Sequence, residues 1–135
     1  MDEILARCGY RCDLCLAYWP NVEGEPANRQ ALSDGWFEYF GFRIPPERIV
    51  CDGCFAEGGV RIDTACPVRP CVIERGLRHC GECPAFGCER LGERFVNYEE
   101  IAARRPHPIS ESDRALFIAP YENRHRLEIL RSRPG

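Results

Sequence analysis

Apolar positions recur with a helical period in several separate stretches of the chain. Ala31, Leu32, Trp36, Tyr39 and Phe40 fall on one face of a helix, and Gly41 stands where such a helix would end. Phe95, Tyr98, Ile101 and Ala102 make a second stripe that stops before Pro106. Ser110-Glu111-Ser112-Asp113 has the pattern of a capping box opening a helix through Ala115-Leu116-Phe117-Ile118, which Pro120 stops. Tyr121 to Leu130 predicts a last amphipathic turn or two built on Leu127, Ile129 and Leu130. Between the first two stripes, Arg43-Ile44-Pro45-Pro46 reads as an extended connection, because Pro disfavours helix in the residue before it. The run Trp36-Phe37-Glu38-Tyr39-Phe40 is read as core in preference to the lining of a ligand pocket, since a short chain needs its bulky residues inside.

Length and composition narrow this picture. With 135 residues, one domain or one domain with a small appendage is expected. A hydrophobic content of 44%, a charged content of 29% and a mean hydropathy of -0.37 exclude collagen-like, disordered and membrane-spanning chains. No apolar run approaches the roughly 18–20 residues a bilayer requires. Met1-Asp2-Glu3-Ile4-Leu5 has neither a basic nor an apolar leader region, so a cytoplasmic setting without membrane contact is predicted. The formal charge is -3, and every basic residue is Arg, which excludes a Schiff-base or P-loop lysine. Residues 1–60 carry -5 and residues 61–135 carry +2, an asymmetry too mild for a nucleic-acid footprint. Arg124-His125-Arg126 and Arg131-Ser132-Arg133 read as a solvated helix face interleaved with Glu122 and Glu128.

The chemistry lies in ten cysteines. Cys8, Cys12 and Cys15 open the chain; Cys51, Cys54, Cys66, Cys71, Cys80, Cys83 and Cys88 fill residues 51–88. The layout predicts a cysteine-rich domain over 1–92 with an aromatic helical insert at 21–50, and a helical extension over 93–135 packed on it. The fold class expected is a small metal-stapled domain of short α-helices and irregular zinc-knuckle loops, with little β structure. Three pairs, Cys12/Cys15, Cys51/Cys54 and Cys80/Cys83, have the two-residue gap that lets a tight turn aim both sulfurs at one ion, with amides left over for the thiolates. Gly53 and Gly81 lie inside two of those gaps, at positions suited to positive φ. Pro67 and Pro84 follow Cys66 and Cys83, which are therefore expected at helix N-termini, and Gly76 is a natural end for the first of those helices.

Disulfides, a thioredoxin-like redox centre and metal-free buried cysteines each explain the clustering less well than metal. Cys8-x3-Cys12-x2-Cys15 matches a radical-SAM spacing, but a barrel of roughly 200 residues does not fit this length. Cys80-x2-Cys83-Pro84 echoes ferredoxins without their full run. Zinc is favoured, as about two ions, with an iron–sulfur cluster the alternative. The compact pairing puts Cys51, Cys54, Cys66 and Cys71 in one site and Cys12, Cys15, Cys80 and Cys83 in the other, leaving Cys8 and Cys88 spare or as substitutes. His79 is read as a surface or supporting residue more than a ligand, and His107 and His125 have no metal role. Arg69 stands between two ligand candidates, where it could temper thiolate charge or serve the surface.

Cys8-Gly9-x-x-Cys12-x-x-Cys15-x-Ala17-Tyr18, Cys51-Asp52-Gly53-Cys54, Cys66-x-Val68-Arg69-x-Cys71 and Cys80-x-x-Cys83-x4-Cys88-x-x-Leu91 together resemble the domain of unknown function 3795, a family of small microbial cysteine-rich proteins. The resemblance covers roughly residues 5–92 and implies zinc binding with no assigned activity. Gly87 stands where that family's pattern often has Pro. The reading is a cysteine-rich zinc protein with structural metals, serving as a protein-interaction module, with an iron–sulfur redox or sensor protein as alternative. A zinc hydrolase is poorly supported, since the three His make neither H-E-x-x-H nor H-x-E. A protein partner suits the reading, whereas nucleic acid does not.

Overall fold

The computed structural model describes residues 2–132. It is mainly helical, with short helices at Trp19–Gly24 (α1), Asn28–Phe40 (α2), Val68–Glu74 (α3), Glu89–Gly92 (α4), Tyr98–Ala103 (α5), Glu111–Asp113 (α6) and Arg124–Ser132 (α7). Among the described residues, β structure is confined to isolated bridges, Leu5 with Arg11 and Tyr18 with Cys51. No described helix is long and apolar enough to cross a membrane.

The helix read from the aromatic stripe is α2. Gly41 ends it in the left-handed region at φ 85°, and its amide returns to the carbonyls of Trp36 and Phe37, both at 3.1 Å. The buried face of α2 is Leu32, Ser33, Gly35 and Trp36. Ser33 Oγ donates to the Ile44 carbonyl at 2.7 Å and pins the extended Arg43–Pro46 connection back onto the helix. The aromatic run serves two purposes. Trp36 is buried in the core, whereas Tyr39 and Phe40, only half-buried, also wall a cavity of about 590 Å3 that reaches across to Tyr10, Phe95 and Tyr121.

Ser110 caps α6 as its pattern predicts, Oγ accepting the Asp113 amide at 3.1 Å. Pro120 does not stop the helical run outright. The chain widens into a π-helical turn at Arg114–Ile118 and tightens into a 3-10 turn at Ala119–Tyr121, with Pro120 buried inside it. Pro has no N–H to return to the preceding turn, so the pitch changes there.

Two apolar clusters hold the molecule together. Ala17, Leu32, Trp36 and Ile49 pack with Ile101, Phe117, Ile118 and Tyr121, while Ala6, Cys8, Val68, Val72, Cys80 and Leu91 pack with Leu127. Each cluster draws on residues on both sides of position 92. The basic tail is correspondingly less solvated than its composition suggests. Arg124 pairs with Glu128 at 3.7 Å on the outside, but Arg126 Nη1 donates to the Gly9 and Pro120 carbonyls at 3.3 and 3.0 Å. Arg131 Nη1 donates to the Gly81 and Cys83 carbonyls at 3.1 and 2.7 Å. Arg133 lies outside the described residues.

Candidate metal centres

The thiols fall into two neighbourhoods. The first is built from two knuckles and two flanking segments. A tight turn at Ala6–Tyr10 is closed by the Ala6 amide on the Tyr10 carbonyl at 2.7 Å, and Gly9 supplies its positive φ of 92°. A Cβ at Gly9 would come within 2.9 Å of Leu127 Cγ, so α7 presses directly on this backbone beside Cys8. The Cys12–Cys15 knuckle follows, tied down by the Cys12 amide on the Ile4 carbonyl at 3.0 Å. Its Asp13 carboxylate takes a two-pronged bond from Arg11 at 2.8 and 2.7 Å, which holds the acid down at about 2. The Cys51–Cys54 knuckle is brought alongside by the Cys51 amide on the Ala17 carbonyl at 2.7 Å and the Trp19 amide on the Cys51 carbonyl at 2.9 Å. Gly53 has φ 98°, and its amide donates to Cys51 Sγ at 3.4 Å, a typical knuckle contact.

At Cys8, Cys12, Cys15 and Cys54 the nearby amides of Tyr10, Cys54, Ala17 and Arg7 respectively offset part of the upward push of burial. The Tyr121 hydroxyl lies 3.1 Å from Cys15 Sγ. Without a counter-ion, burial and the neighbouring thiols push Cys8 well up and Cys12 up to about 12. Cys66 stands just ahead of α3 and faces Cys8 and Cys54. Arg69 touches no sulfur: its Nε donates to the Cys54 carbonyl at 2.9 Å and so braces the second knuckle.

The second neighbourhood is Cys71, Cys80, Cys83 and Cys88, which line one cavity of about 20 Å3 with Val72, Leu77 and Leu91. Cys71 lies within α3, Cys80 opens a 3-10 turn at Cys80–Glu82, Cys83 closes it, and Cys88 caps α4. Two guanidiniums serve this group. Arg90 and Arg75 hold Cys71 below the usual thiol range, and Arg75 Nη1 lies 3.7 Å from Cys83 Sγ. Cys80, buried and facing Cys88, Cys83 and Cys71, is pushed up to about 12. His79 is adjacent, its Nδ1 buried with no hydrogen-bond partner among the described residues.

Several expectations change. The structure sets Cys71 with Cys80, Cys83 and Cys88 instead of with Cys51 and Cys54, and sets Cys12 and Cys15 with Cys51 and Cys54 instead of with Cys80 and Cys83. Neither Cys8 nor Cys88 stands apart. Cys66 does precede a helix, but Cys83 leads into the turn Pro84–Gly87, where Gly87 has a φ of 86° that Pro cannot adopt. Gly53 uses positive φ; Gly81 does not, and instead gives room to the His79 ring, 2.8 Å from where its Cβ would stand. Periodicity and spacing gave no sign of Tyr121, Arg75 or Arg131, which come to the sulfurs or their carbonyls from distant parts of the chain.

The metal-stapled character expected from spacing is not shown. Among the described residues, no group of three or more His, Cys, Asp or Glu side chains stands in an arrangement that could hold a metal ion. The donor type is nonetheless the one zinc takes: thiols of separate segments share a neighbourhood, and the Gly53 amide donates to Cys51 Sγ.

A family model described as "Protein of unknown function (DUF3795)" matches residues 4–93. The chain belongs to that family. The DUF3795 match takes in all ten cysteines and ends just after α4, so both thiol neighbourhoods lie within it while α5 to α7 lie beyond. No curated protein and no solved structure matches the chain.

Proposed function

We propose that this DUF3795 protein is a zinc-binding protein whose metals are structural and whose surface serves protein–protein contact. The observation that carries the reading is that Cys71, Cys80, Cys83 and Cys88, from α3, a 3-10 turn and the start of α4, line one cavity of about 20 Å3. Four thiolates are the donor set of a closed structural zinc site, with no position left for substrate. Folding alone would leave partly buried thiols beside one another, and a cation offsets their mutual repulsion once they ionise. Such a site contributes apparent free energy on the order of 10 kcal/mol near neutral pH, which couples metal binding to folding. Leu14, Trp19 and Phe37 are more than two-fifths exposed and are the apolar side chains a protein partner would cover.

Metal analysis of native protein, with an absorption spectrum and unfolding by a strong chelator, tests this. The expected result is a colourless zinc protein that loses its far-ultraviolet helical signal as metal is removed. A protein that keeps its fold after metal removal overturns the structural role, and a brown protein with broad visible absorption points to an iron–sulfur cluster instead.

A further inference from the structure

We infer that the cavity of about 590 Å3 walled by Tyr39 and Phe40 is a binding site for a small apolar cation, an amine or quaternary ammonium that carries a hydrophobic group. No cysteine lines this cavity, so the site goes beyond the zinc reading and does not depend on it.

Three observations carry it. The first is the grading of the cavity from apolar to polar. Trp36, Ile101 and Tyr121 line it and are buried, Tyr10, Phe40 and Phe95 are half-buried, and Asp63, Glu93, Asn97, Glu100 and Arg104 are exposed. An aromatic floor therefore opens through a polar mouth. The volume is that of a small-molecule site and far exceeds the voids that close packing leaves. Packed elements hold the space: α2, α5 and the 3-10 turn at Ala119–Tyr121 all contribute to one core cluster. The wall at residues 62–65 is fastened by Arg94, whose Nε and Nη2 donate to the Asp63 carboxylate at 2.7 and 3.2 Å and whose Nη2 also reaches the Ala65 carbonyl at 3.3 Å.

The second observation is what the interior has left to offer. The Tyr10 hydroxyl donates to the Arg94 carbonyl at 2.7 Å, the Tyr39 hydroxyl donates to Asp113, and the Tyr121 hydroxyl lies 3.1 Å from Cys15 Sγ. All three phenols are engaged within the chain, so what they present to a ligand is ring. Aromatic rings attract cations and give an anion no hydrogen bond. Tyr39 already holds one, the Arg105 guanidinium, 4.5 Å from its centroid. Among the described residues no cation lies over Tyr10, Trp36, Phe40 or Tyr121.

The third is charge at the mouth. Asp63 and Arg94 neutralise one another. Arg104 comes only within 4.0 Å of Glu100, with both side chains largely in solvent. The Glu93 carboxylate has no ion-pair partner among the described residues. An incoming cation meets two carboxylates with little to hold them, whereas an anion meets a single guanidinium that already has Glu100 beside it. The mouth and the rings thus select the same sign of charge.

The test titrates the full chain, as purified with its metal, by calorimetry and nuclear magnetic resonance. The probes are benzyltrimethylammonium, its uncharged carbon isostere neopentylbenzene, and phenylacetate. One benzyltrimethylammonium per chain is expected, shifting the Trp36 indole and Ile101 methyl signals and binding about tenfold more tightly than the isostere. Phenylacetate should bind more weakly than either. Combining Glu93→Gln with Glu100→Gln, both exposed, should weaken the cation severalfold and leave the isostere unchanged, with the fold checked by circular dichroism. Absence of saturable binding, a cation no tighter than the isostere or phenylacetate, shifts that spare Trp36 and Ile101, or a double variant that binds the cation as before would each overturn the site. Zinc content measured on the same sample reports separately on the metal reading.

Discussion

Asn123 is fully buried, and its amide satisfies three backbone groups from two distant segments. Nδ2 donates to the Cys8 carbonyl at 2.7 Å and the Arg94 carbonyl at 3.1 Å, and Oδ1 accepts the Val96 amide at 3.2 Å. Only the carboxamide of Asn or Gln offers two donors and an acceptor in that planar arrangement, and Asn is the shorter by one methylene. Asn123→Ala strands the Cys8 carbonyl and the Val96 amide, while the Arg94 carbonyl keeps the Tyr10 hydroxyl at 2.7 Å, and a loss of about 3 kcal/mol in urea denaturation is expected. Asp13 makes a second residue-scale case. Its folded carboxyl sits at about 2 against 3.8 for the ordinary group, so its contribution is fully present above pH 3.8 and fades as pH falls through 2. The shift corresponds to about 2 kcal/mol at neutral pH. Asp13→Asn should remove that much stability at pH 6 and little near pH 2, read from denaturation midpoints across the range. Neither residue could be found by periodicity, because each is defined by partners the fold brings to it. Asp13 in particular lies inside the C-x-x-C spacing, where attention goes to sulfur.

At the scale of elements, α2 was readable because its apolar positions repeat at helical spacing and a glycine ends it. α1 was not, since Trp19–Gly24 buries only Val22 and leaves no stripe. Gly35 shows what periodicity passes over within a readable helix. A Cβ there would lie 2.5 Å from the Phe117 ring, so the glycine sets how closely α2 meets the π-helical turn. Gly35→Ala gains about 1 kcal/mol of helix propensity but overpacks a contact that costs more. A net loss of roughly 1–2 kcal/mol is expected by thermal or urea unfolding. Gly24→Ala, with nothing within 4 Å of the added carbon, should be neutral or slightly stabilising in the same assay. The pairing of thiols misled for a reason that also belongs to elements. Cys66 and Cys71 are close in sequence, but α3 begins between them, at Val68, and carries Cys71 about one turn along its axis. One sulfur is left with the N-terminal group and the other is carried into the second cavity.

For the whole molecule, the segment that carries the family match is not the segment that completes the core. Ile101, Phe117, Ile118, Tyr121 and Leu127 lie beyond residue 93, and Arg131 closes the carbonyls of Gly81 and Cys83. A fragment ending at residue 93 should therefore lack cooperative unfolding even when supplied with zinc, as judged by circular dichroism and amide dispersion. A fragment that unfolds cooperatively with full helical signal would show that the thiol region stands alone. That interdependence was only half legible: the helical extension could be read from its stripes and cap, but which surfaces it covers depends on Leu127 meeting Gly9 and Phe117 meeting Gly35.

The Tyr121 ring is 6.2 Å from Trp36, and its hydroxyl touches the Cys15 sulfur. A buried indole so placed senses the field of that phenol, and the phenol senses whether the sulfur carries a proton, a metal or an alkyl group. Trp36 is 5% exposed and Trp19 is 42% exposed, so their emission maxima should separate, with Trp36 to the blue. The molecule therefore contains its own optical probe: a change at Cys15 should alter the blue component of tryptophan fluorescence and leave the red one steady, without any added label.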